Sequence, residues 1–220
     1  MHIYMSNNFY NTVLFDLDGT LVNSMDLHYN CWSEVISQLG LSLDRTFFLK
    51  NEGMKIYKLM QQITGIIDDD KINMLIKEKD EIFIKNYKFN LYKGVEELIT
   101  KLKKNNIRLG LVTASSIRRL NQSIPIDFLN NFSIIVTSDN NGPGKPDPWP
   151  YQYAFEQLKA EIKNTIVVEN APLGIKSAKN AGLTCVAIGS TLEKFLLYEA
   201  DYYYCSIINF SNEYNLFFEE

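Results

Sequence analysis

The chain of 220 residues is 46% hydrophobic and 22% charged, the balance of an ordinary globular protein, which excludes a disordered or fibrous chain. Its 22 Lys and Arg against 26 Asp and Glu give a formal net charge of −4, so it lacks the basic excess that neutralises nucleic-acid phosphates. One domain, or one domain carrying a modest insertion, fits this length. Three cysteines, Cys31, Cys185 and Cys205, are an odd number without metal-type spacing, which argues against a disulfide framework or a zinc site. Cys31 reads as buried packing. The N-terminal stretch has no targeting pattern, and no apolar run approaches the roughly 18 residues that cross a bilayer. The expectation is a cytoplasmic monomer that engages neither membrane nor nucleic acid.

In chain order, residues 11–15 (Asn-Thr-Val-Leu-Phe) form a short β-favouring run that stops at Asp16, as a buried parallel strand does. The next strand-like run begins only at residue 107, and residues 26–89 are too much chain for a single crossover. Their patterns are helical: residues 27–39 with Trp32, Val35, Ile36 and Leu39, then 55–63, then 69–87, punctuated by Gly40, Gly53 and Gly65. An all-helical cap over residues 24–90 is expected, tethered near 22–24 and 89–93. Beyond it, helical stretches at 94–105, 149–158 and 173–181 alternate with strand-like runs at 107–112, 133–136, 165–168 and 184–188. Tyr202–Tyr204 reads as an edge strand. The fold class is therefore α/β, a Rossmann-like three-layer core with a parallel sheet (residues 1–23 and 91–220), with the cap inserted after the first strand.

The chemistry concentrates at strand ends. Asp16-Leu17-Asp18-Gly19-Thr20 puts two carboxylates two residues apart just past the first strand, where open α/β sheets bind their ligands. Acids this close need a shared proton or a cation, and Mg²⁺ is the natural oxygen-seeking partner. Thr113, Lys145 within Gly144-Lys145-Pro146-Asp147-Pro148, and Glu169-Asn170 recur at later strand ends. A hydroxyl and an ammonium are the donors a transferring phosphoryl group needs.

This ordered set resembles the haloacid dehalogenase superfamily of phosphotransferases, in the branch with a helical cap that includes β-phosphoglucomutase and sugar-phosphate phosphatases. The resemblance spans nearly the whole chain. It implies Asp16 as the nucleophile that becomes an aspartyl phosphate and Asp18 as general acid and base. Thr113 and Lys145 would hold the phosphoryl group. Mg²⁺ would sit on the Asp16 carboxylate, the Asp18 carbonyl, and Glu169 and Asn170. Most relatives carry aspartate where Asn170 stands, so one metal-directed charge is missing here. Asn23 also stands where aspartate is usual, ahead of a hinge-like Ser24.

The same resemblance assigns His28, Lys55, Lys79, Ala114 and Ser115 to substrate binding. Three of these positions have a plainer reading. His28 fits a partly exposed helix, Lys79 lies in the charged run Lys77-Glu78-Lys79-Asp80, and Ser115 and Ser116 suit a helix cap. Ile56 occupies the place of a substrate-contacting arginine of the mutases, with Lys55 adjacent, which argues against a mutase. The leading expectation is a Mg²⁺-dependent phosphatase acting on a small-molecule phosphate ester, a sugar or polyol phosphate. Alternatives are a phosphomutase, a phospho-accepting signalling module, which the large insertion opposes, and a non-catalytic phosphate-ester binder.

Overall fold

The computed structural model describes residues 9–218. Residues 1–8, part of the stretch read for a targeting signal, and residues 219–220 at the end of the expected core lie outside that range. Six strands, β1 (Thr12–Phe15), β2 (Arg108–Val112), β3 (Ile134–Val136), β4 (Thr165–Glu169), β5 (Thr184–Ile188) and β6 (Tyr202–Tyr204), form one sheet in the order β3-β2-β1-β4-β5-β6. Every pairing is parallel. β1 is buried throughout and bonded on both sides, with Thr12 opposite Arg108 of β2 and Thr165 of β4. An uninterrupted apolar run is what burial on both faces demands of such a strand.

Successive side chains point to opposite faces of the sheet. Val13 and Phe15 join Ile166 and Val168 in one core, covered by α5 (Val95–Lys104), α6 (Ile117–Ser123), α7 (Ile126–Leu129) and α10 (Ile207–Asn212). Leu14 joins Val112 and Val167 in the other, under α8 (Trp149–Gln157) and α9 (Pro172–Asn180). The chain leaves β1 toward β2 and leaves β4 toward β5, in opposite directions across the sheet. The gap between β1 and β4 is thus the switch point beyond whose carboxyl ends ligands bind.

Four further helices lie between β1 and β2: α1 (Met25–Ser37), α2 (Arg45–Lys50), α3 (Ile56–Thr64) and α4 (Asp69–Asn86). They pack around a core of their own that includes Trp32, Ile36, Phe48, Met60 and Ile72. The two connections to the sheet run side by side: Asn23 N–H donates to the Asn90 carbonyl at 2.9 Å, Tyr92 N–H donates to Leu21 at 3.0 Å, and Val22 bridges Leu91. Among the described residues, no helix is long and apolar enough to cross a membrane.

The long helices and all strands fall within two residues of the ranges read from periodicity. The differences are α2, α6, α7 and α10, which have 6, 7, 4 and 6 residues. Two turns or fewer are too short for a 3.6-residue pattern to register. Cys31 is buried in α1, as its apolar neighbours suggest.

Candidate active site

Asp16 N–H donates to the Val168 carbonyl at 3.0 Å, continuing the β1–β4 ladder one residue beyond the strand and fixing where the carboxylate emerges. The chain then turns through Gly19 at φ +86°, where a Cβ would overlap the Asn170 amide. Only glycine meets both the left-handed backbone and this close approach. Asp16 is 5% exposed. Its Oδ1 accepts from Lys145 Nζ at 2.7 Å, while its Oδ2 is buried with no hydrogen-bond partner among the described residues.

Lys145 Nζ also donates to Glu169 Oε1 at 2.6 Å and to the Val112 carbonyl at 3.1 Å. Glu169 is saturated: Oε1 accepts from Tyr151 Oη at 3.1 Å, and Oε2 accepts from the backbone N–H groups of Asn170 at 2.8 Å and Ala171 at 3.0 Å. A Cβ on Gly174 would overlap the same carboxylate. Burial pushes the Asp16 carboxyl up to about 8, against the pull of Lys145. Burial also works to lower Lys145, but Asp16 and Glu169 outweigh it and hold the ammonium above its ordinary range.

Asp18 collects four donors. Oδ1 accepts from Ser24 Oγ at 2.6 Å and His28 Nε2 at 3.2 Å; Oδ2 accepts from Ser115 Oγ at 3.0 Å and from Arg119 Nη2. Burial alone would raise this carboxyl, but Arg119 and His28 reverse the effect and hold it well below the usual carboxylate range. His28 is lowered to about 3 by burial and by nearby Lys79, more than Asp18 can offset. It is therefore neutral at pH 7, and because an ionised carboxylate only accepts, the Asp18 contact assigns the proton to Nε2.

A cavity of about 250 Å³ opens between the sheet end and the four-helix unit, reached by Asp16, Asp18, Thr113, Arg119, Trp32 and Lys79. Ala114, Ser115 and His28 line it as well. Lys79 corrects the plainer reading of a solvated face: it is 4% exposed, 5.4 Å from the Trp32 ring centroid and 5.0 Å from that of Phe83. His28 is likewise buried rather than partly exposed and stacks on Phe83. The two serines divide their roles. Ser116 caps α6 by accepting from Arg119 N–H, while the Ser115 hydroxyl goes to Asp18. Lys55 does not reach this cavity; it lines a smaller cleft against Gly144, and Ile56 takes a place on the main wall.

Among the described residues, no three His, Cys, Asp or Glu side chains converge on one point as a ready metal cage. A cation here would draw on carbonyl and amide oxygens as well as carboxylates, which suits Mg²⁺. The donor set fits: Asp16 has an unpartnered buried oxygen, the Asp18 carbonyl belongs to the same loop, and Asn170 lies across from Gly19. Asn170 Oδ1 accepts from Thr20 Oγ1 at 2.8 Å, and its Nδ2 donates to Glu52 Oε2 at 2.9 Å and Thr191 Oγ1 at 3.0 Å.

Sequence reasoning missed Arg119 and Glu52. Arg119 is the third residue after the Ser116 cap, so the capping signal already marked the helix turn that carries it but not the carboxylate it reaches. Glu52 directly precedes Gly53, whose turn was noticed while its neighbour was not. Tyr151, which holds Glu169, carries no local signal.

The profile of the haloacid dehalogenase-like hydrolases matches residues 13–188. The chain is 28% identical over 200 residues to validoxylamine A 7′-phosphate phosphatase of Streptomyces hygroscopicus subsp. limoneus, covering 87% of this chain and 92% of that one. It is 30% identical over 198 residues to pyrophosphatase PpaX of Bacillus mycoides, covering 83% and 85%. β-Phosphoglucomutase of Bacillus subtilis is 26% identical over 193 residues, covering 80% and 82%. A solved structure described as a putative β-phosphoglucomutase from Bacteroides vulgatus superposes with a TM-score of 0.83 at 28% identity, covering 96% of this chain and 89% of that one. The strand-end acids and lysine, the cap and these likenesses agree: the chain belongs to the haloacid dehalogenase-like hydrolases, in the β-phosphoglucomutase-like branch, and is an enzyme of the phosphoric monoester hydrolase class.

Proposed function

We propose that the protein is a Mg²⁺-dependent phosphatase that hydrolyses a small sugar or polyol phosphate through an aspartyl phosphate on Asp16. The observation that carries this reading is the Asp16 carboxyl group itself, which lines the cavity with one oxygen held by Lys145 and the other buried and unpartnered. An aspartate nucleophile divides hydrolysis into two in-line displacements. In the first, Asp16 attacks phosphorus, the ester P–O bond breaks, and the leaving alkoxide takes a proton from Asp18. In the second, Asp18 removes a proton from water, whose oxygen attacks phosphorus and releases inorganic phosphate and free Asp16. Lys145 and Thr113 hold the phosphoryl oxygens. Mg²⁺, when bound by Asp16, the Asp18 carbonyl and Asn170, neutralises charge on the transferring group.

Asp18 is ionised as it stands, which is the form that deprotonates water. To act first as an acid it must lose a donor. A substrate oxygen that draws Arg119 or His28 away raises the Asp18 carboxyl toward protonation, so the acid forms when substrate is present. Glu169, which the resemblance implies as a cation ligand, instead has both oxygens taken by four donors and serves by orienting Lys145. The cap wall limits substrates to those the cavity encloses. Ile56 on that wall, in place of an arginine, favours the phosphatase over a mutase.

The test is release of inorganic phosphate from a panel of sugar, polyol and nucleotide monophosphates, with and without Mg²⁺, using Asp16→Asn as the blank. Mg²⁺-dependent release that vanishes in the variant is the expected result. Silence from the folded protein until a bisphosphorylated sugar is added would replace this reading by the mutase.

A further inference from the structure

The second acid of the strand-end pair is missing in this chain, since Asn170 follows Glu169 at the end of β4. A neutral amide leaves a divalent cation with one charge fewer than two aspartates would give it. The contact opposite Asn170 is informative. Glu52, from the loop between α2 and α3, brings Oε2 to 2.9 Å from Asn170 Nδ2 and lines the same cavity as Asp16 and Asp18.

The approach depends on the next residue. Gly53 has φ +85°, and a Cβ there would meet the Lys145 side chain at 3.0 Å, so the loop presses directly on the catalytic lysine. A larger residue would hold Glu52 back from the sheet. Asp16 Oδ2, buried and unpartnered, supplies an independent sign of an absent ligand. Burying a carboxylate oxygen without a partner is costly unless a cation reaches it. The acids outnumber the bases at this end of the sheet: the carboxyl groups of Asp16, Asp18, Glu52 and Glu169 gather with two cationic side chains, Lys145 and Arg119.

The Asn170 amide can turn to meet such an ion. Its present neighbours beyond Glu52 are the hydroxyls of Thr20 and Thr191, and a hydroxyl donates or accepts equally well. A half-turn keeps both of those contacts and points Oδ1, instead of Nδ2, toward Glu52. Two oxygens then face each other where a hydrogen bond had been, an arrangement that asks for a cation.

We infer that Glu52, delivered by the cap loop, contributes the carboxylate that Asn170 lacks to the divalent-cation site, so that cation binding and cap docking are one event. The inference rests on the Mg²⁺ reading above. The cap then does more than close over the substrate, because it carries part of the metal site across to the sheet. An enzyme built this way loads its cation fully only when the cap is down.

The experiment titrates Mn²⁺ into the full chain and follows free Mn²⁺ by electron paramagnetic resonance, for the wild type, Glu52→Gln, and Glu52→Gln combined with Asn170→Asp. Glu52→Gln should weaken Mn²⁺ binding about tenfold or more, in line with the cost of losing a group that supports a metal. Asn170→Asp in that background should recover most of the loss, which a merely structural role for Glu52 would not allow. Hydrogen exchange gives a second readout: Mn²⁺ should slow exchange of the amides of residues 51–55 in the wild type and not in Glu52→Gln. Wild-type or tighter Mn²⁺ binding by Glu52→Gln overturns the inference and leaves the phosphatase reading intact. A wild type that neither binds Mn²⁺ nor releases phosphate with Mg²⁺ overturns both.

Discussion

Arg119→Met isolates the charge that controls Asp18. Arg119 is 2% exposed, its Nη2 meets Asp18 Oδ2, and its guanidinium carbon lies 5.0 Å from the Phe83 ring centroid. Methionine keeps most of the volume and can still contact the ring through sulfur, so packing loss is small. Removing one member of a buried ion pair costs roughly 3–5 kcal/mol, because it strands the partner charge. Asp18 retains Ser24, His28 and Ser115 as donors, which places the expected loss near the lower end, about 3 kcal/mol at pH 7.5. With a urea dependence of about 3 kcal/mol per molar, the unfolding midpoint should fall by about 1 M. The pH dependence sharpens the test. In the wild type Asp18 lies well below its ordinary value, so its contribution is present above that value and lost as pH falls through the folded one. In the variant, burial raises Asp18, and its contribution is lost as pH rises. The gap between the two proteins must therefore shrink from pH 7.5 toward pH 4. A midpoint shift under about 0.2 M, or a gap independent of pH, would show that Arg119 only fills space.

Three further outcomes follow from the site. Gly174→Ala should lower the thermal midpoint by roughly 4 °C despite alanine's helix preference, because its Cβ would collide with the Glu169 carboxylate; a raised midpoint in calorimetry refutes the collision. His28, lowered to about 3 from an ordinary 6.5, binds its proton in the unfolded chain first, so its contribution is complete above pH 6.5 and declines as pH drops toward 3. His28→Gln should accordingly lose less stability between pH 6.5 and 4 than the wild type in urea titrations, and equal slopes would count against a neutral His28. Lys145→Met should cut Mg²⁺-dependent phosphate release by about 10²–10³, the effect of removing one preorganised donor, and a loss below tenfold would exclude Lys145 from the phosphoryl contact.

The sheet was legible because each inner strand is buried on both faces and therefore writes itself as an apolar run ending at a polar residue. Asp16, Thr113 and Glu169 were found by that rule, each at or just past a strand end. The long cap helices were legible through their buried stripes, Trp32 and Ile36 in α1 and Leu59 and Met60 in α3. Partnerships across the fold were not. Arg119 meets Asp18 over 101 residues of chain, and Glu52 meets Asn170 over 118. Neither distance leaves a local pattern, and each contact exists only because the cap and α6 are folded onto the sheet. Lys79 shows the opposite failure: a run of alternating charges that looks solvated places one lysine inward, where its ammonium lies over two aromatic rings.

The ribbon formed by Val22 and Leu91 gives the helical unit an unusual kind of independence. Its entry and exit lie side by side, as the two arms of a hairpin do, so the sheet would experience sixty-odd residues of helix much as it would a short turn. Insertions whose ends nearly touch are those a scaffold tolerates best. The helical unit is in that sense a cassette. Its loops other than the one that carries Glu52 and Gly53 can be rewritten or exchanged while β1, which aims Asp16, keeps its register.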